Sequence, residues 1–78
     1  MKRVVSAKAN DDYTLDVVFD DGAVKRFDAK PYLEKGIFRR LKNVEYFKNV
    51  HIAYGTVNWD DELDIAPETL YAESESIS

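Results

Sequence analysis

Three groups of residues have types and spacings that could do chemistry. His51 is the only histidine, and an imidazole can act as a general base or a metal ligand. Asp60, Glu62 and Asp64 alternate along the chain, as carboxylates do in loops that hold hard cations. Arg39, Arg40 and Lys42 form the sharpest basic cluster. With Tyr46 and Phe47 nearby, that cluster could contact phosphates while rings stack on bases.

Each group meets a limit. The chain has no Cys, so one His could complete a zinc site only with carboxylates or a second subunit. A helix–loop–helix calcium loop needs Gly at its sixth position and Glu at its twelfth. Counted from Asp60, those positions hold Ile65 and Tyr71. No nucleophile or electrophile accompanies the acids. The three glycines stand apart at 22, 36 and 55, so there is no phosphate-cradling loop. No helix-turn-helix or other nucleic-acid module is visible. The readings favoured here are a solvent-facing strand residue for His51, an exposed loop for the acids and a solvated helix face for the basic cluster. The sequence is thus expected to be no enzyme and to need neither cofactor nor metal. Nucleic-acid binding through Arg39, Arg40 and Lys42 is the alternative, and a metal-dependent enzyme using His51 ranks last.

The elements that must position these residues follow from length and pattern. Seventy-eight residues make one domain, whose core is small relative to its surface. Five Tyr, four Phe and one Trp supply large buried areas in place of disulfides. The formal charge of −4 argues against nonspecific nucleic-acid binding by the whole molecule. The charge is uneven: six basic and two acidic residues lie between Lys30 and Lys48, and seven acids with no base follow from Asp60 onward. No apolar run approaches membrane-spanning length, and the opening turns polar too soon for a signal peptide. A cytoplasmic location is expected, with no membrane contact.

Val4 to Ala9 reads as a first strand. Tyr13, Leu15, Val17 and Phe19 alternate on one face of a second. Ala23 to Phe27 returns after Asp20-Asp21-Gly22. A three-residue loop with a left-handed Gly22 pairs Leu15 with Phe27 and Asp16 with Arg26, so that register is expected. Ile37, Phe38 and Leu41 have helical spacing, and Asn43 can cap a short helix over 44–49. His51 to Tyr54 is a strand again. Gly55-Thr56 suits a type II′ turn, which would place Tyr54 opposite Val57 and Ile52 opposite Trp59. Ile52, Tyr54, Val57 and Trp59 would then share one apolar face. Leu63 and Ile65 can anchor the chain back on the core. Pro67 suits the first position of a terminal helix with Glu68 near its positive end, and Leu70 and Tyr71 cover the sheet.

The expected architecture is α+β: about five antiparallel strands in hairpins, with short helices between and after them. Two small sheets packed together are an alternative. The domain is expected over 1–71, with 72–78 a disordered acidic tail. Trp59 is expected in the core. If the core is too small to cover that face, Tyr54, Trp59 and Tyr71 become a partner surface. The partner would be a protein, whether a second copy of this chain or another.

Several stretches carry a resemblance. They are Phe19-Asp20-Asp21-Gly22, Gly36-Ile37-Phe38 with Leu41, Glu45-Tyr46-Phe47, Gly55-Thr56-Val57 with Trp59, and Leu63-Asp64-Ile65-Ala66-Pro67-Glu68-Thr69-Leu70-Tyr71. On these the chain resembles the domain of unknown function 2442 family of small prokaryotic proteins. The last stretch is the most specific. Where the family often has Pro, Asn or Gly after the Trp, this chain has Asp60-Asp61-Glu62. The resemblance implies a single α+β domain with a regulatory or partner-binding role, in one form an antitoxin-like partner of a neighbouring small protein. It implies no catalytic residue.

Overall fold

The first hairpin forms in the register that its side chains dictate. In the computed structural model, which describes residues 2–60 and 63–77, β2 (Thr14–Phe19) pairs antiparallel with β3 (Val24–Asp28). Leu15 lies opposite Phe27 and Asp16 opposite Arg26. Gly22 takes φ +88° at the loop, where a Cβ would be strained. Leu15, Val17, Phe19 and Phe27 are buried together. Tyr13 stands before this strand rather than in it. At φ +65° it turns the chain, and its hydroxyl donates to the Lys42 carbonyl.

β1 (Val4–Ala9) adds to the far side of β2 with a bulge at Val5, which turns Val5 outward while Val4 is buried. After β3 the chain makes a 3-10 turn at Lys30–Tyr32 and a longer 3-10 helix at Gly36–Lys42. Leu41 is the buried residue of the latter. Asn43 caps α1 (Val44–Phe47), its side-chain oxygen accepting from the amides of Glu45 and Tyr46. Such a cap is worth about 0.5–2 kcal/mol over Ala. It matters in so short a helix, which cannot stand without the sheet behind it.

The second sheet orders β4 (His51–Ala53), β5 (Thr56–Asp60) and β6 (Leu63–Ile65). Its hairpin corrects the expected register. The turn residues are Tyr54 and Gly55, both at positive φ (+56° and +77°), so the turn has the backbone of type I′ rather than II′. Ile52 pairs with Val57 and Ala53 with Thr56. Ile52, opposite Val57, keeps the face of Val57 and Trp59 but lies on the outer strand of the sheet, and Tyr54 stands in the turn. Both are exposed, while Val57 and Trp59 are buried. Buried polar side chains hold this register. Thr56 donates its hydroxyl to the Ile65 carbonyl. The Asn58 amide donates to the carbonyls of Ala53 and Thr56 at 2.9 and 3.1 Å.

α2 (Pro67–Glu73) starts with Pro67 in its first turn and buries Leu70. The expected tail is also corrected. α2 runs on to Glu73, and β7 (Glu75–Ser76) pairs with β3, giving the first sheet the order β1-β2-β3-β7. Backbone pairing needs no apolar side chain, which is why composition alone suggested disorder. The described residues thus form an α+β fold with seven strands in two antiparallel sheets, the two-sheet form of the expected class. One core joins them: Phe19, Phe27 and Leu15 from the first sheet meet Val57, Trp59, Leu63 and Ile65 from the second. At their border the Val4 amide donates to the Gly55 carbonyl at 2.8 Å.

Candidate interaction surface

The structure takes apart the three residues that the sequence offered as one surface. Trp59 is an interior residue at 6% exposure. Its indole N–H donates to the Phe47 carbonyl at 2.8 Å, and its ring stacks on Phe47 with centroids 5.9 Å apart. Tyr71 is half-buried and packs edge-on against Phe19 at 4.9 Å. The ammonium groups of Lys2 and Lys25 each lie 4.1 Å from its ring centroid. Its hydroxyl reaches Asp21 at 3.2 Å. Tyr71 thereby fastens α2 to the first hairpin. Only Tyr54 stands in solvent, at 98% exposure on the tip of the β4–β5 turn.

Tyr54 has neighbours that the sequence did not reveal. The Val4–Gly55 hydrogen bond sets the start of β1 beside the hairpin tip. A side chain at Gly55 would come within 3.1 Å of the Arg3 side chain. Val5, at 57% exposure, and Ile52, at 37%, are the exposed apolar residues of these two elements. The hairpin tip thus carries an exposed tyrosine beside the Arg3 side chain, and Val5 and Ile52 are exposed on the strands that meet there. No local signal marks Arg3 and Val5 for this role, because their placement depends on a bulge and on a contact between the sheets.

The basic cluster is held by local acids. Arg40 pairs with Asp60 at 3.0 Å, and Lys42 pairs with Glu34, whose carboxyl it holds below the usual carboxylate range. The Tyr46 hydroxyl also donates to Asp60, at 2.5 Å. Burial, followed by the Asp60 carboxylate, pushes the Tyr46 phenol up. Arg39 lies on the same 3-10 helix and is exposed. Asp60 thus ties the Gly36–Lys42 segment and α1 to β5.

His51 faces solvent at the start of β4, opposite Asn58. Asp64 is exposed on β6. Asp61 and Glu62, the middle of the acidic loop, lie outside the described residues. Among the described residues no group of three His, Asp or Glu side chains converges as a metal site would require.

No curated protein and no solved structure matches the chain. Residues 4–76, nearly the whole length, match the family described as protein of unknown function, DUF2442. That span takes in both hairpins, the capped α1 and the segment from Leu63 to Tyr71 that closes the core. The chain belongs to the DUF2442 family.

Proposed function

We propose that the chain is a small non-catalytic interaction module that engages a protein partner through the β4–β5 hairpin tip. The observation that carries this is Tyr54: a fully exposed aromatic residue held in the left-handed conformation. A left-handed L-residue costs roughly 1–2 kcal/mol, and Asn or Gly would relieve most of it. No packing within the described fold offsets that strain for a residue 98% exposed. Strain kept at a surface position points to a use outside the fold. Tyrosine is also the residue type that interfaces favour, because it brings large area with few rotatable bonds. Val5, Ile52 and Arg3 extend the patch with apolar area and one cation.

A regulatory role beside a neighbouring small protein, antitoxin-like in form, is the version of this reading that the family resemblance supports. A cytoplasmic setting fits the absence of Cys. Among the described residues no helix is long and apolar enough to cross a membrane. The nucleic-acid reading draws less support, since Arg40 and Lys42 already hold acids.

Co-expression with the neighbouring gene product tests the proposal. Wild type is expected to copurify with that partner, while Tyr54→Asn folds and loses it. Copurification undiminished by Tyr54→Asn and by Ile52→Ser would refute the site. A strictly monomeric wild type that retains no partner would refute the function.

A further inference from the structure

We infer that the outer edge of β3 is a second recognition site, for an extended partner strand of alternating charge, and that residues 74–77 are a displaceable strap lying in it. The inference does not depend on the Tyr54 patch.

The strap is weakly held. β7 has two residues against the five of β3, and both, like Ile77, are exposed. Its grip is backbone pairing: Lys25 opposite Ser76, Arg26 opposite Glu75, and the Ile77 amide donating to the Val24 carbonyl at 3.0 Å. At the hinge between α2 and β7, the Ser74 hydroxyl is buried with no hydrogen-bond partner among the described residues. That hydroxyl therefore gives the strap no side-chain anchor at its start. Meanwhile β3 is firm beneath it, with Phe27 buried and β2 paired along its other side.

The edge has a readable preference. Glu75 lies opposite Arg26, which also pairs with Asp16 on its other side, and Asp28 further along the edge pairs with Lys30 of its own chain. Continuing the same register by two residues sets position 73 opposite Asp28. In this chain that position is Glu73, which is still in α2 and accepts a hydrogen bond from Tyr32. The strap therefore stops short, and its next residue has the wrong sign for Asp28. A partner strand with no helix to finish could run the whole edge. It would carry a cation opposite Asp28, a small residue opposite Phe27, an acid opposite Arg26 and an apolar residue opposite Val24. A second copy is the poorer occupant, because its own strap brings the same short grip and the same Glu73.

The probe is an end-blocked peptide Lys-Ser-Glu-Ser-Ile, titrated into the full chain and followed by amide chemical shifts. Ile77→Pro removes the donor that holds the strap, and Glu75→Lys sets like charges across it. Both variants are expected to bind about tenfold more tightly than wild type, because the strap no longer competes for the edge. Shifts should centre on Val24–Asp28, and the charge-swapped peptide Glu-Ser-Lys-Ser-Ile should bind more weakly. In the unmodified chain the Ile77 amide should exchange with solvent about 100-fold faster than that of Val17. Tyr54→Asn should change none of this. Equal binding of the two peptides, an absence of β3 shifts in both variants, or an Ile77 amide as slow as that of Val17 would overturn the inference. Self-association of the released variants that the peptide does not reverse would assign the edge to a second copy and overturn it as well.

Discussion

The Trp59 indole both stacks on Phe47 and donates its N–H to the Phe47 carbonyl. One side chain thus joins β5 to α1 twice, by area and by a directed bond. Trp59→Phe keeps much of the area but leaves a buried carbonyl short of its donor, so it should cost about 1–3 kcal/mol. Trp59→Ala should cost about 3–5 kcal/mol. Circular dichroism during urea unfolding measures both, since the variants lose the native fluorophore.

Leu70 is fully buried where α2 meets the sheets. Leu70→Ala should destabilise by about 2–5 kcal/mol, and the midpoint of denaturant unfolding should fall accordingly. A silent substitution would mean that α2 contributes nothing to closing the core.

Tyr54→Asn should raise the unfolding midpoint, by about 0.5–1 kcal/mol, because Asn tolerates the left-handed turn position better. A gain in stability joined to a loss of partner binding is the pattern expected of a residue kept for recognition.

Acid should weaken the fold in a defined direction. The Arg26 guanidinium, hydrogen-bonded to Asp16, holds the Asp16 carboxyl below its ordinary range against an opposing effect of burial. The Thr14 hydroxyl lowers Asp12, and the Ala23 amide followed by Lys2 lowers Asp21. A depressed folded-state value contributes stability above the unfolded value, about 3.9 for Asp, and that contribution is lost as pH falls through the folded value. Urea midpoints should therefore be flat near neutrality and drop below about pH 4. Asp16→Asn should be less stable at neutrality and show a shallower acid decline.

Alkali acts with the opposite sign. The Tyr32 phenol is raised by its hydrogen bond to Glu73 and by burial, and Tyr46 is raised by burial and by Asp60. Their contribution is complete below the unfolded value, about 10 for Tyr, and disappears as pH rises through the folded ones. Tyr46→Phe should flatten part of that alkaline decline, read as unfolding midpoints across the same range.

The parts of this fold that were legible in sequence are those where side chains of both partners declare the contact. Leu15 with Phe27 and Asp16 with Arg26 named their register because a slip would have crossed apolar with charged residues. Asn43 and Pro67 marked helix starts by their own backbone chemistry. The second hairpin misled because Tyr is a poor residue for a left-handed turn, and local preference pointed one position further on. β7 was hidden because its pairing uses main-chain atoms that every residue carries. The burial of Trp59 could be read from its apolar company. Its bond to Phe47 could not, because the acceptor is a carbonyl of α1. The proposed interaction patch was legible only at Tyr54. Arg3 and Val5 join it through the contact between the sheets.

Thr56 and Asn58 give the second hairpin a polar lock on its register. Their side chains close on the carbonyls of Ile65, Ala53 and Thr56 only when the turn sits at Tyr54-Gly55. The competing turn at Gly55-Thr56, which apolar pattern alone would choose, takes Thr56 out of the strand and away from the Ile65 carbonyl. A polar group buried without its partner costs about 1–3 kcal/mol, so the folded chain with the turn at the wrong place is the less stable one. The two residues thus weigh against a register that the apolar pattern by itself would have accepted.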